Sequence, residues 1–357
     1  MRGQGVRRAA ALALVLALVL PSGAGAAYDP IGGGATRIVL DKRFAASLDG
    51  AGVTVAAKAG AAKRGRTLVF PVTGGQLDPT AGRGEVEQEG SIVFSSSRRN
   101  LPLRALVVKT SSAPLVAKVG GSQLKVATST VTRTGRRGFG TVFSARKLKL
   151  TAKVATRLNK KLRPHLQFDA GQTIGKLVAA AQPALVSIVP AGRAALVLDA
   201  AFVAKLDQHF VSFNPISPAE REGSSFTLPI IADGALAPDA SAGTLRTGGE
   251  IEFLQLGAGQ IFWHELCFDV GLHAALAEVD LEPTPAFPGK IGQVPILSLG
   301  SGVVGSEPGT RTISLAGAPL TLAADTAAAF NQAFAAGKSD FTAGELVGTL
   351  SFAAQGQ

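Results

Sequence analysis

Apolar and polar residues alternate in short runs along most of the chain. This is the pattern of strands with one face in a core and the other in water. Arg37-Ile38-Val39-Leu40 opens such a run, and Thr67 to Val72 is a second. Arg104 to Lys109, Leu115 to Val119 and Leu124 to Ala127 continue the series, and Gly84 to Phe94 reads as a further strand. Gly, Asp and Pro separate the runs, as in Gly74-Gly75-Gln76-Leu77-Asp78-Pro79, which predicts tight turns. Two segments carry helical spacing instead. Thr151 to Leu162 places Val154, Leu158 and Leu162 four apart, and Ala323 to Phe334 spaces Phe330 and Phe334 alike. The expectation is a mainly β protein of sandwich or barrel-like architecture, with one short helix near the C-terminal end of each domain.

The pattern occurs twice. Val39-Leu40-Asp41 with Phe44, Ala46, Leu48 and Asp49 recurs, at a constant offset, as Val197-Leu198-Asp199 with Phe202, Ala204, Leu206 and Asp207. Phe70-Pro71 matches Leu228-Pro229. After one inserted residue, Gly84, Gly90, Ile92 and Phe94 match Gly243, Gly249, Ile251 and Phe253. Near the close of each copy Leu148, Leu150, Asn159 and Phe168 match Leu320, Leu322, Asn331 and Phe341. A duplication follows, with one domain over 33–180, a linker over 181–193 and a second domain over 194–355.

Charge separates the copies. Residues 27–182 hold 26 basic and eight acidic side chains, a net +18, whereas residues 183–357 hold seven and 17, a net −10. The basic side chains cluster at Lys63, Arg64 and Arg66, at Arg98 and Arg99, and at Arg136 and Arg137. Further clusters are Arg146, Lys147 and Lys149, then Lys160, Lys161 and Arg163. Such a charge far exceeds the magnitude of about 2–8 usual for a small soluble domain. It points to a polyanionic partner, either an anionic cell-envelope polymer or lipid headgroups. Few aromatics interleave with these charges, so no specific nucleic-acid recognition is expected. The acidic copy is a second partner for the basic one, within one chain or between chains.

The N-terminus joins Arg2, Arg7 and Arg8 to the apolar run Ala9 to Leu20, followed by Ala24-Gly25-Ala26. This reads as a cleaved secretory signal over 1–26, and so as a protein of the cell exterior or envelope. The single cysteine, Cys267, rules out an intramolecular disulfide. His264, Cys267 and His273 form the one grouping with ligand chemistry for haem or a metal. The period of two along a strand puts His264 and Cys267 on opposite faces, which favours a half-buried strand with Trp263 and Phe268 in a core. Ser144 to Lys147 matches Ser-x-x-Lys but lacks the companion motifs of an acyl-enzyme. No nucleophile elbow, zinc helix or phosphate loop is present. A non-catalytic binding protein without a resident cofactor is the expectation.

The matched segments resemble the HtaA-type (haemin-transport-associated) domain of secreted and surface proteins in actinobacteria. The resemblance rests on the opening Val39 to Leu48, the Phe70-Pro71 strand end and Gly74 to Pro79. It continues through Gly84 to Phe94 and from Leu148-Lys149-Leu150-Thr151 to Ala170-Gly171, and nearly all of both copies is covered. The resemblance implies a β-rich extracellular fold and, in the best-known members, haem binding through a tyrosine. Alignment on Phe44 and Phe202 puts Leu48 and Leu206 where that tyrosine falls. The family's Gly-His pair after the central phenylalanine is also replaced, by Ser95-Ser96 after Phe94 and by Leu254-Gln255 after Phe253. Leucine has no atom to ligate iron.

Overall fold

The computed structural model describes residues 28–97, 99–111, 114–163, 167–281 and 290–357. The expected secretion signal lies outside the described residues. The first unit runs β1 (Asp29–Leu40), α1 (Lys42–Gly50), β2 (Thr54–Lys58), β3 (Ala62–Arg64), β4 (Thr67–Leu77), β5 (Gly84–Gln88) and β6 (Ser91–Ser96). It continues with β7 (Arg99–Lys109), β8 (Leu115–Val119), β9 (Ser122–Thr128), β10 (Val131–Arg137), β11 (Gly140–Leu150), α2 (Ala152–Leu162) and β12 (Thr173–Pro183). The second opens with β13 (Val186–Ser187), β14 (Arg193–Leu198), α3 (Ala200–Gln208), β15 (Val211–Ile216), β16 (Glu220–Glu222), β17 (Ser225–Pro229) and β18 (Ala235–Leu236). Next come β19 (Gly243–Arg246), β20 (Glu250–Gln255), β21 (Gly259–Asp269), β22 (Ala274–Leu281), β23 (Lys290–Leu299), β24 (Val303–Glu307), β25 (Thr312–Leu322), α4 (Ala324–Phe334) and β26 (Leu346–Gln355).

The first unit is a closed antiparallel barrel. Pairing runs β7-β5-β4-β1-β12-β11-β9-β8 and returns from β8 to β7. Closure leaves no open edge in that ring. Its interior is filled by one apolar core that includes Phe44, Leu68, Phe70, Leu103, Phe143 and Leu177. The second unit repeats the order as β19-β21-β22-β23-β25-β26-β14-β17 but stays half open. The counterpart of β4 is divided there: β17 pairs with β14, whereas β18 pairs with β19. Between them Ile230 makes a single bridge to Thr247, and Asp233 takes a left-handed backbone at φ 72°. In β4 the same stretch is Gly74-Gly75, with Gly74 in the place of Asp233 and Gly75 in that of Gly234, and pairing with β5 runs through it. A side chain at Gly75 would put its Cβ 2.2 Å from the carbonyl oxygen of Glu85, so only glycine lets the two strands stay paired.

Each unit contains two helices rather than the one expected. The additional ones, α1 and α3, begin where Asp41 and Asp199 accept backbone N–H bonds from the first turn. They bury Phe44 with Leu48 and Phe202 with Leu206. Nine residues with two inward apolar positions give little periodic signal, which is why pattern alone does not predict them. The stretch Gly84 to Phe94 is likewise two strands, turned at Glu89-Gly90. The helices near the ends, α2 and α4, stand where their apolar spacing predicts. Only Ala184 and Leu185 separate β12 from β13.

Candidate functional site

Cross-strand neighbours in an antiparallel sheet share a face, and register therefore decides which charges meet. On the outer face of the first barrel Arg64 stands opposite Thr67, Thr67 opposite Val39, and Val39 opposite Lys176. Beyond Lys176 the strand β11 bulges: Ala145 pairs with Leu177 and Leu148 with Gly175, so Arg146 and Lys147 together face one residue of β12. Lys147 takes φ 51° there. An extra residue in a strand turns consecutive side chains outward, and both Arg146 and Lys147 are exposed. Arg66 closes the end of the row, its Nη1 donating to the carbonyl oxygen of Leu40 at 3.0 Å.

These side chains enclose a groove of about 460 Å³ lined by Arg66, Arg146, Lys147 and Lys176, with Val39, Leu40, Thr173 and Gly175 as its floor and Asp41 as its acidic wall. A second row lies beside it. Arg37 pairs with Val178, Val178 with Ser144 and Ser144 with Arg133, which adds Arg37 and Arg133 to the same face. Lys176, Arg37 and Arg133 escape a search for charge clusters because each stands alone in sequence. Their one signal is an outward position in an alternating run.

The second unit has the same rows without the charge. Glu222, Ser225, Val197, Thr349 and Pro319 are successive cross-strand neighbours, in the places of Arg64, Thr67, Val39, Lys176 and the bulge. β25 bulges as well, but one pair away: Leu315 pairs with Phe352 and Ala318 with Leu350, so Ala316 and Gly317 face Ser351, while Pro319 pairs in register where Arg146 and Lys147 bulge. The cationic groove is therefore a property of the first unit, made by substitutions at these positions and by the place of the bulge.

The remaining basic residues scatter. Lys63 donates its Nζ to the carbonyl oxygen of Val55 at 2.8 Å. Arg99 lies exposed on β7, Arg137 on β10 and Lys149 on β11. Lys160 and Lys161 occupy the last turn of α2, and Arg163 caps it with a left-handed backbone. Arg136 turns away from the face, its Nη1 donating to the carbonyl oxygen of Gln357 at 3.0 Å. Arg98 lies outside the described residues. The predicted positions that the structure describes thus do not form one patch: Arg66, Arg146 and Lys147 line the groove, Arg64 lies along the same cross-strand row, and Lys149 stands opposite Thr173 at its edge.

In the second unit, sequence alternation misplaces one ligand pair. Glu265 takes φ 48°, and register jumps so that His264 pairs with Glu278 while Cys267 pairs with Leu276. The extra residue reverses alternation and puts Cys267 on the same outer face as His264. They remain separate in chemistry. His264 sits between two carboxylates, Nδ1 at 2.8 Å from Glu250 Oε2 and Nε2 at 3.2 Å from Asp280 Oδ2, with its ring stacked on Phe262. Cys267 is buried, and burial pushes its thiol pKa up. His273 stands exposed in the turn after β21 at φ 54°. Among the described residues no group of three or more His, Cys, Asp or Glu side chains is placed to hold a metal ion. At the position where the resemblance implies a haem-ligating tyrosine, Leu48 and Leu206 are buried in the cores of the first and second units, 4% and 0% exposed.

No family model matches this chain, and no curated protein matches it. Among solved structures it is similar to the C-terminal domain of HtaA from Corynebacterium glutamicum, with a TM-score of 0.38 and 16% identity over 47% of this chain and 98% of that one. It is also similar to the N-terminal domain of the same protein, with a TM-score of 0.36 and 16% identity over 47% of this chain and 99% of that one.

Proposed function

We propose that this is a non-catalytic binding protein of the cell exterior, whose first unit grips an anionic envelope polymer in the groove beside the Arg146-Lys147 bulge. The observation that carries the reading is the row of cations held across β3, β12 and β11 on a closed barrel and replaced in the equivalent row of the second unit. Rigid strands hold these charges at fixed separations, so little side-chain order is lost when a polyanion binds. Guanidinium groups match phosphate in geometry as well as charge. The groove is of the size that takes one sugar-phosphate unit, within the ~300–1,000 Å³ of typical ligand sites. Its one carboxylate, Asp41, is engaged in capping α1, its Oδ1 accepting from the backbone N–H of Arg43 at 2.8 Å and of Phe44 at 3.3 Å, which supports binding rather than turnover. The basic and apolar leader supports export.

Purified protein bound to isolated cell wall, or to a phosphate-bearing wall polymer, tests this. With about four phosphate contacts, affinity is expected to fall roughly 50-fold or more between 50 and 200 mM salt. Arg146→Gln with Lys147→Gln is expected to weaken binding about tenfold and flatten that dependence. Retention indifferent to salt and to these changes overturns the reading. A haemin titration addresses the other class of ligand: no sharp Soret shift is expected, and one lost on His264→Ala would transfer the function to the second unit.

A further inference from the structure

The two units meet at a buried charged junction that the groove does not involve. Asp29 at the start of β1 is 4% exposed, and its Oδ1 accepts from the backbone N–H of Ser187 at 3.1 Å and from its hydroxyl at 2.9 Å. Beside it lies a small enclosed cavity of about 10 Å³ whose polar walls are Asp29, Arg136, Thr141 and Arg311. Arg136 and Thr141 come from the first unit and Arg311 from the turn between β24 and β25 of the second. Among the described residues no acceptor meets Nε or Nη1 of Arg311, although both atoms are buried. Burial holds the pKa of that guanidinium down, the nearby Arg136 adds to the effect, and Asp29 opposes it.

We propose that this junction holds one small inorganic anion of halide size, taken by the guanidinium groups of Arg311 and Arg136. Two arginines converge on a cavity that offers one carboxylate, and an oxygen of that carboxylate is already engaged by Ser187. Arg136 is exposed and already gives one N–H to Gln357, so the unmet demand is that of Arg311, whose Nε and Nη1 are buried without an acceptor among the described residues. A buried polar group without a partner is costly, and a buried charge more so. A water molecule would accept hydrogen bonds from Arg311 but leave the charge of its guanidinium unanswered. A halide accepts the same bonds and neutralises it. The volume corresponds to a single water-sized occupant, which excludes sulfate and phosphate. The anion would tie β10 to the β24–β25 turn and so stiffen the two units against each other.

The whole chain is tested in chloride, bromide and gluconate at equal ionic strength. Chloride and bromide are expected to raise the unfolding midpoint by about 2–6 °C in a saturable way, and gluconate to leave it unchanged. Crystals soaked in bromide are expected to show an anomalous scattering peak between Arg136 and Arg311. Arg311→Met, and separately Arg136→Gln, are expected to abolish the halide dependence. Equal midpoints in all three salts, a cavity without anomalous signal, or halide dependence that survives in both variants would each overturn the proposal. None of these readouts depends on polymer binding.

Discussion

Asn159 and Asn331 occupy the same place in the two units and do the same work. Each side-chain amide closes a ring of two hydrogen bonds on the backbone of a phenylalanine. Asn159 Nδ2 donates to the Phe168 carbonyl at 2.9 Å while its Oδ1 accepts from the Phe168 N–H at 2.8 Å. For Asn331 and Phe341 the distances are 2.7 and 2.8 Å. The clasped rings reach back to the first helix, Phe168 to Phe44 and Phe341 to Phe202, both at 6.2 Å. Asn331→Ala leaves a backbone pair without partners and is expected to destabilise by about 1–3 kcal/mol in chemical denaturation. The match of these asparagines is visible in sequence, but their role is not, because nothing in sequence says which backbone an amide will find. Asp29 makes a second prediction. Burial raises its carboxyl pKa, against the hydrogen bonds from Ser187 and the pull of Arg311 and Arg136. The folded state then holds the proton more tightly than the unfolded one. Its contribution to stability falls as pH rises from the ordinary value of 3.8 through the raised one. Denaturation of Asp29→Asn and the native chain from pH 3.5 to 7 is expected to show the variant gaining on the native chain across that window and then running parallel.

At the scale of elements, the units differ most sharply in where the strand bulges and what it presents: Arg146-Lys147 in β11, Ala316-Gly317 in β25. Replacing Arg146→Ala together with Lys147→Gly gives β11 the bulge residues of β25 and suits the positive φ of 51° at Lys147. The barrel is expected to stay closed while wall binding at low salt falls about tenfold; circular dichroism together with the binding assay checks both. A lost fold would show that the bulge also serves closure. Elements with long periodic runs were legible in sequence: α2 and α4 stand where their spacing puts them, and strands form over Arg104 to Lys109, Leu115 to Val119 and Leu124 to Ala127, although β7 bulges at Ala105-Leu106 and β8 buries Leu115, Val116 and Ala117 in succession. Short or interrupted elements were not. The helix α1 has too few turns for periodicity to rise above noise, and the shift at Glu265 reverses a face without any change in composition. Bulges are created by pairing with a neighbour, so a single strand read alone carries little sign of them.

At the scale of the whole molecule, the units are joined by more than covalent connection. Phe139, in the turn between β10 and β11, is 8% exposed and belongs to the core of the second unit. Phe139→Ala is expected to cost about 3 kcal/mol and to speed proteolysis at Ala184-Leu185 severalfold, whereas unchanged cleavage would show that Phe139 does not hold the units together. The two barrels carry opposite net charge, yet the contact between them is built from an apolar ring, a buried carboxylate and two arginines rather than from the opposed surfaces. Sequence alone determined that the chain is mainly β, that its pattern occurs twice, and that one copy is strongly basic, because alternation, repetition and charge are properties of order along the chain. Tertiary structure alone decided which cations share a groove, why Leu48 and Leu206 face a core, and where Asp29 meets Arg311. Those are distances between strands remote in sequence, and they exist only once pairing register has closed the first barrel and curved the second sheet.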